Sequence, residues 1–209
     1  MKDEKHVNVF EFSRRQVLGF LSFMIGGLYL KFVHASNFIF KHQTPKFSFL
    51  RPPGTESEDE FLSKCIRCRA CANVCESGCI EFFSMNEGLL YAGTPYLDVR
   101  KKSCNLCMNC TQVCPTDALK TILRNKDAIK KEVKMGDARV IRSHCLSENG
   151  RVCGVCHDAC PLKGEAIKLK PIAKPIIDNE VCIGCGRCEE RCPQFPSAII
   201  VERKETQHV

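Results

Sequence analysis

One stretch constrains this chain more than any other: Cys104-Asn105-Leu106-Cys107-Met108-Asn109-Cys110-Thr111-Gln112-Val113-Cys114-Pro115. Four cysteines at C-x2-C-x2-C-x3-C with a trailing proline form the bacterial spacing for a 4Fe-4S cluster. Two-residue spacers let three neighbouring sulfurs reach three irons of one cubane. The fourth cysteine points elsewhere, and in two-cluster ferredoxins it ligates the partner cluster. One such stretch therefore predicts another.

Three more are present. Cys65, Cys68, Cys71 and Cys75 repeat the spacing, as do Cys182, Cys185, Cys188 and Cys192, the last followed by Pro193. The remaining motif is extended, with seven residues between Cys145 and Cys153, then Cys156 and Cys160, and then Pro161. First cysteines fall at 65, 104, 145 and 182, a period near 40 residues that marks an internal repeat. Sixteen of the seventeen cysteines are placed in this way, and Cys79 is left over. Cys75 is read as the ligand of the first motif because its spacing matches the others, although Glu76 follows it where proline is expected.

Two other cysteine chemistries fit less well. A four-cysteine zinc site uses two separated C-x2-C pairs rather than four cysteines in eleven residues. Disulfides suit a chain with seventeen cysteines in 209 residues, but cysteines packed into one short loop make poor long-range staples, and the odd count leaves one unpaired. The formal charge of +7 invites a nucleic-acid reading. Residues 1–35 contribute two of those charges, and each oxidised cluster with its four thiolates adds roughly −2. Four clusters bring the folded remainder to about −3, so no nucleic-acid partner is expected.

The first residues contain Ser13-Arg14-Arg15-Gln16-Val17-Leu18 and an apolar run over 17–30. This resembles a twin-arginine export signal, with cleavage after Ala35 or retention as an anchor as the two outcomes. That route exports folded proteins, which suits a cofactor inserted before export. The expected location is periplasmic, with attachment to the inner membrane if the segment is kept. Residues 1–35 are thus read as signal or anchor and 36–60 as a connector. Residues 61–124 form the first pair of cluster motifs, 125–137 a linker helix capped by Asn125, and 138–209 the second pair. The acidic run at 56–60 with Phe61 and Leu62 reads as a short helix delivering Cys65. Short apolar runs at 80–85, 96–99, 118–123, 138–141, 166–169, 176–177 and 198–201 read as strands. The fold class expected is α+β, tandem ferredoxin-like units with four 4Fe-4S cluster-binding loops. His144 and His157 adjoin ligands but read as neighbours of the iron sites or as surface residues, since every motif already has four cysteines. The chain has no dinucleotide loop, phosphate loop or nucleophile elbow, so electron transfer with no substrate site of its own is the expected chemistry.

The leader, Arg51-Pro52-Pro53-Gly54, Phe61-Leu62 ahead of Cys65, and Ala92-Gly93-Thr94-Pro95-Tyr96, together with four cluster motifs in this order, resemble the NapG/MauM family of exported ferredoxins. The resemblance implies four 4Fe-4S clusters on the sixteen cysteines. It also implies the role of an electron-transfer subunit in a quinol dehydrogenase. Electrons would come from a multi-span, NapH-like quinol-oxidising membrane protein and go to a downstream periplasmic acceptor, the nitrate reductase system. The MauM branch implies instead an accessory role in maturing methylamine dehydrogenase. An iron-sulfur subunit of a molybdenum oxidoreductase is a further alternative. Sequence leaves open whether motifs pair consecutively or in a nested order, with spacing leaning towards consecutive.

Overall fold

Three two-stranded antiparallel ladders carry the cysteine loops in the computed structural model, which describes residues 49–203 together with Gly26, Gly27 and Tyr29. The chain divides into two compact units, Met1–Thr44 and Pro45–Val209. Of the first unit only Gly26, Gly27 and Tyr29 are described, and they are helical. The twin-arginine stretch and the cleavage point after Ala35 lie outside the described residues. Among the described residues no helix is long and apolar enough to cross a membrane.

In the second unit, β1 (Ile80–Phe82) pairs with β2 (Pro95–Leu97), placing Ile80 opposite Leu97. Leu50 extends this ladder, accepting from Leu97 N–H at 2.8 Å. β4 (Ile167–Lys170) and β5 (Lys174–Ile177) form the matching hairpin between the third and fourth motifs. β3 (Asp137–Val140), ahead of the third motif, pairs with β6 (Ile199–Glu202), which follows the fourth. The period of two puts Ala138, Ile199 and Val201 inside. Six of the seven apolar runs therefore lie in or beside strands. The run at 118–123 is not a strand. Its neighbour is the segment around Pro52 and Pro53, which cannot donate, and a single main-chain bond joins them, from Lys120 N–H to Gly54 C=O at 2.8 Å.

The helices are short. α1 (Glu58–Lys64) starts at Ser57, whose hydroxyl accepts from Glu60 N–H at 3.2 Å, and its acidic first turn and Lys64 suit the helix dipole. It buries Phe61 and presents Cys65 at its C-cap. One-turn helices α2 (Ala70–Asn73) and α3 (Asn109–Gln112) follow the first two cysteine loops, and α5 (Val155–Ala159) and α6 (Arg187–Glu190) the last two. Between the pairs lies α4 (Lys126–Glu132), capped by the Asn125 side chain, which accepts from Ala128 N–H at 2.8 Å.

The apolar core interleaves with cysteine sulfur, since Cys71, Cys104, Cys110, Cys185 and Cys188 belong to the same buried cluster as Leu97, Leu119, Ile122 and Ile199. Arg51 is buried as well, 3% exposed. Its guanidinium stacks on Phe61, 4.5 Å from the ring centroid, and lies within cation–π distance of Phe49, Phe83 and Tyr91. It also pairs with Glu58 and donates to Thr94 Oγ1 at 3.0 Å. The Arg51–Gly54 and Ala92–Tyr96 segments, distant in sequence, thus meet on one side chain. Residues near the end of the sequence-defined connector are in this way part of the core.

Candidate iron-sulfur centres

Each cysteine loop is shaped by left-handed backbone at fixed positions. The residue before the second cysteine and the residue after it have positive φ in three motifs: Arg67 and Arg69 (57° and 63°), Leu106 and Met108 (63° and 58°), Gly184 and Gly186 (71° and 79°). In the third motif Gly154, after Cys153, has φ 78°. Left-handed backbone costs a non-glycine residue about 1–2 kcal/mol, so four such residues in two loops mark a conformation imposed by what the loop must hold. Alternating hand turns successive N–H groups towards one concavity, an arrangement suited to an anionic group. A cubane with four thiolates is such a group.

The cysteines gather by exchange between consecutive motifs. Cys145, Cys153 and Cys156 line one cavity together with Cys192 from the fourth motif. Cys182, Cys185 and Cys188 line another with Cys160 from the third. In the first half, Cys104, Cys107 and Cys110 have Cys75 and Cys79 as neighbours, while Cys65 and Cys68 adjoin Cys71. The repeat assigns Cys114 to this first set, as the counterpart of Cys192. The structure selects consecutive over nested pairing, supported by contact of α2 with α3 and of α5 with α6.

Among the described residues no three His, Cys, Asp or Glu side chains close on a single ion. The sets surround cavities instead, as a cubane with one iron per thiolate requires. Burial pushes the Cys71, Cys156 and Cys185 thiols up to about 11 and Cys110 up to about 12, and Cys188 higher still. Thiolate at such positions needs positive charge beside it, which iron supplies, with release of the proton on binding. Amide donors already aim at the fourth cysteines: Leu119 N–H reaches Cys114 Sγ and Ala198 N–H reaches Cys192 Sγ, each at 3.4 Å. Such bonds stabilise thiolate and tune a cluster's potential. The donor set therefore fits iron-sulfur clusters.

The two inner sets touch. Cys104 N–H donates to Cys185 C=O at 3.1 Å, and Arg187 donates to Asn105 C=O at 3.3 Å. Arg100 clamps the same joint, donating to Glu189, Cys192 and Gln194 carbonyls. The sets thus run in the spatial order first, second, fourth, third. Each inner set has more buried cysteines than either outer set: Cys104, Cys107, Cys110, Cys185 and Cys188 are buried, whereas the outer sets have one buried cysteine each, Cys71 and Cys145, with Cys68 exposed and Cys153 and Cys156 half-buried. Exposed apolar residues flank the outer loops, Ile66 at one end and Val152 and Val155 at the other. His144 is exposed, and His157 lies 3.2 Å from Asp158.

Arg100 and Arg187 carried no sequence signal. Cys79 did: four residues after Cys75, it occupies the place that Ala118 holds after Cys114, and Ala166 and Ala198 fill the corresponding buried positions in the other repeats. Its Sγ is 3.7 Å from Cys75 Sγ. The interaction with Cys104 lowers the Cys79 thiol against the effect of burial, and raises Cys104.

Residues 64–118 and 127–195 match the family model of a 4Fe-4S dicluster domain. The methylamine utilization ferredoxin-type protein MauM of Methylobacillus flagellatus is 33% identical over 202 residues, covering 92% of this chain and 84% of that protein. The ferredoxin-type protein NapG of Escherichia coli is 34% identical over 165 residues, 73% of this chain and 69% of that one. The ferredoxin-type protein NapF of the same organism is 31% identical over 157 residues, 73% and 84% of the two chains. With two dicluster segments and relatives of this kind along most of its length, the chain belongs to the family of 4Fe-4S ferredoxin-type electron-transfer proteins that includes MauM and NapG.

Proposed function

We propose that this chain is a periplasmic-side electron wire holding four 4Fe-4S clusters on the four cysteine sets described above. It takes electrons from a NapH-like quinol-oxidising membrane protein and passes them towards the periplasmic nitrate reductase. The observation that carries the reading is the hydrogen bond from Cys104 to Cys185, which abuts the two inner sets and makes two dicluster halves one continuous series. Quinol oxidation yields two electrons and two protons, and the protons are released at the membrane partner, where the quinol binds. The chain's own task is then limited to holding the clusters, excluding water from the inner pair and exposing the outer pair. Ile66 and Val152, set in the outer loops, suit close apolar contact with a donor at one end and an acceptor at the other.

The test is reduction of the purified chain by a quinol analogue, with and without the membrane partner. Fast reduction only in its presence supports the reading, and equal rates in both refute an obligatory partner. A second reading is favoured by the MauM relatives, which match this chain as well as NapG does: an accessory role in maturing methylamine dehydrogenase. An artificial electron donor separates the two. It restores turnover in a deletion strain if the chain supplies electrons, and fails if the target enzyme is left unprocessed.

A further inference from the structure

Cys79 is buried, 3% exposed, and sits among sulfurs rather than apolar side chains alone. Its Sγ is 3.7 Å from Cys75 Sγ, within hydrogen-bonding range of that thiol. A cubane iron carries three sulfides and one thiolate, so Cys79, in contact with Cys75 at 3.7 Å, is placed to take the position of Cys75 on the iron once that sulfur leaves rather than to bind beside it. Cys79 is also held in place. It directly precedes β1, and the turn behind it is closed by Gly78 N–H donating to Cys75 C=O at 3.1 Å. The other repeats have Ala118, Ala166 and Ala198 at this position, so only the second set has such a neighbour.

We propose that Cys79 is a reserve ligand for the second cysteine set, able to take over the iron that Cys75 holds. This rests on the four-cluster reading above. The exchange is not a redox step: the Cys79 S–H gives up its proton and its sulfur bonds to iron, while the Cys75 sulfur leaves iron and takes up a proton. Loss of Cys75 alone, by mutation or oxidation, then leaves the cluster in place. The fourth ligands Cys114, Cys160 and Cys192 have alanine behind them and no substitute.

The experiment compares the whole protein carrying Cys75→Ala, Cys79→Ala, both changes, or Cys192→Ala. The readouts are iron and acid-labile sulfide per chain, and electron paramagnetic resonance of oxidised and reduced samples. Wild-type iron at about four per cluster tests the four-cluster reading itself, independently of the variants. The expected result is that both single changes at 75 and 79 keep the full iron content, with a shifted reduced-state signal for Cys75→Ala. The double change and Cys192→Ala should each lose a quarter of the iron, or show the oxidised-state signal of a three-iron cluster. The proposal is overturned if Cys75→Ala loses iron as Cys192→Ala does or yields no folded protein. It is equally overturned if Cys79→Ala alone loses a cluster, which would make Cys79 the primary ligand.

Discussion

Replacing Gly184 with alanine should loosen the packing of the fourth cysteine loop against the segment that leads into β3. Gly184 has φ +71°, and an ideal Cβ there would lie 2.3 Å from Gly136 N and 2.5 Å from Gly136 O. Both obstacles are backbone, pinned by Met135 N–H donating to Ile183 C=O at 3.1 Å, so neither can swing aside. The left-handed conformation costs an alanine about 1–2 kcal/mol, and overpacking against fixed backbone adds about 1–3 kcal/mol. Gly150→Ala is the matched control, because φ there is +82° with nothing within 4 Å of the added methyl. The difference between the two variants is the clash alone, about 1–3 kcal/mol. Bleaching of the visible iron-sulfur absorption in urea with an iron chelator, under argon, requires the loop to open and so relieves the clash. Gly184→Ala should therefore bleach roughly 5- to 150-fold faster than Gly150→Ala at 25 °C. Equal rates would show that the close approach of these two loops is not what holds the fourth set.

Cys107→Ser should lose or convert one cluster and leave the signals of the second half unchanged; retention of all iron would overturn the assignment of the second set. Burial works against ionisation of Glu58, but its pairs with Arg51 and Arg203 outweigh this and hold its carboxyl below the usual range. Its contribution is thus present above the ordinary pKa of about 4.3 and lost as pH falls through the lowered folded value. Wild type should exceed Glu58→Gln by about 2–3 kcal/mol at pH 7, less than the ~3–5 kcal/mol of a fully buried pair because the side chain keeps 16% exposure, and the gap in melting temperature should close towards pH 3. An undiminished gap at low pH would assign the effect to packing instead. The double change Arg14→Lys with Arg15→Lys should strand the protein in the cytoplasm, and normal export in a fractionation assay would refute the export signal.

Cysteine spacing made most of the site legible, because a cubane fixes how far apart its ligands can lie in a loop. The helix start in the acidic run ahead of Cys65 and the cap at Asn125 were legible for a similar local reason, as were the short strands β3 and β6. What escaped depended on long-range contact. Arg51 reads as a polar residue before two prolines, yet four aromatic rings and Glu58 bury it, and no local pattern brings Tyr91 or Thr94 to it. The run at 118–123 has the composition of a strand, but strand formation depends on its partner, and the partner carries Pro52 and Pro53. Pairing of motifs was visible only as a slight bias in spacing, for it is settled by which one-turn helices touch.

The joint between the halves has a consequence for how electrons would move through the proposed wire. Each dicluster half has its own hairpin, β1 with β2 and β4 with β5, and exchanges its own fourth cysteines, so each can hold its clusters without the other. Contact between the inner sets depends on few groups: Cys104 N–H, Arg187, Arg100 and the close approach of Gly186 to Val99. The hydrogen bonds that Arg100 makes among the described residues go to main-chain carbonyls of Glu189, Cys192 and Gln194 and not to a cysteine sulfur. Arg100→Met therefore separates holding clusters from connecting them. Iron content should stay at the wild-type level while electron equilibration between halves slows, seen in stopped-flow reduction as a fast phase confined to two clusters followed by a slow one. A single phase at the wild-type rate would mean that the inner sets communicate without this clamp.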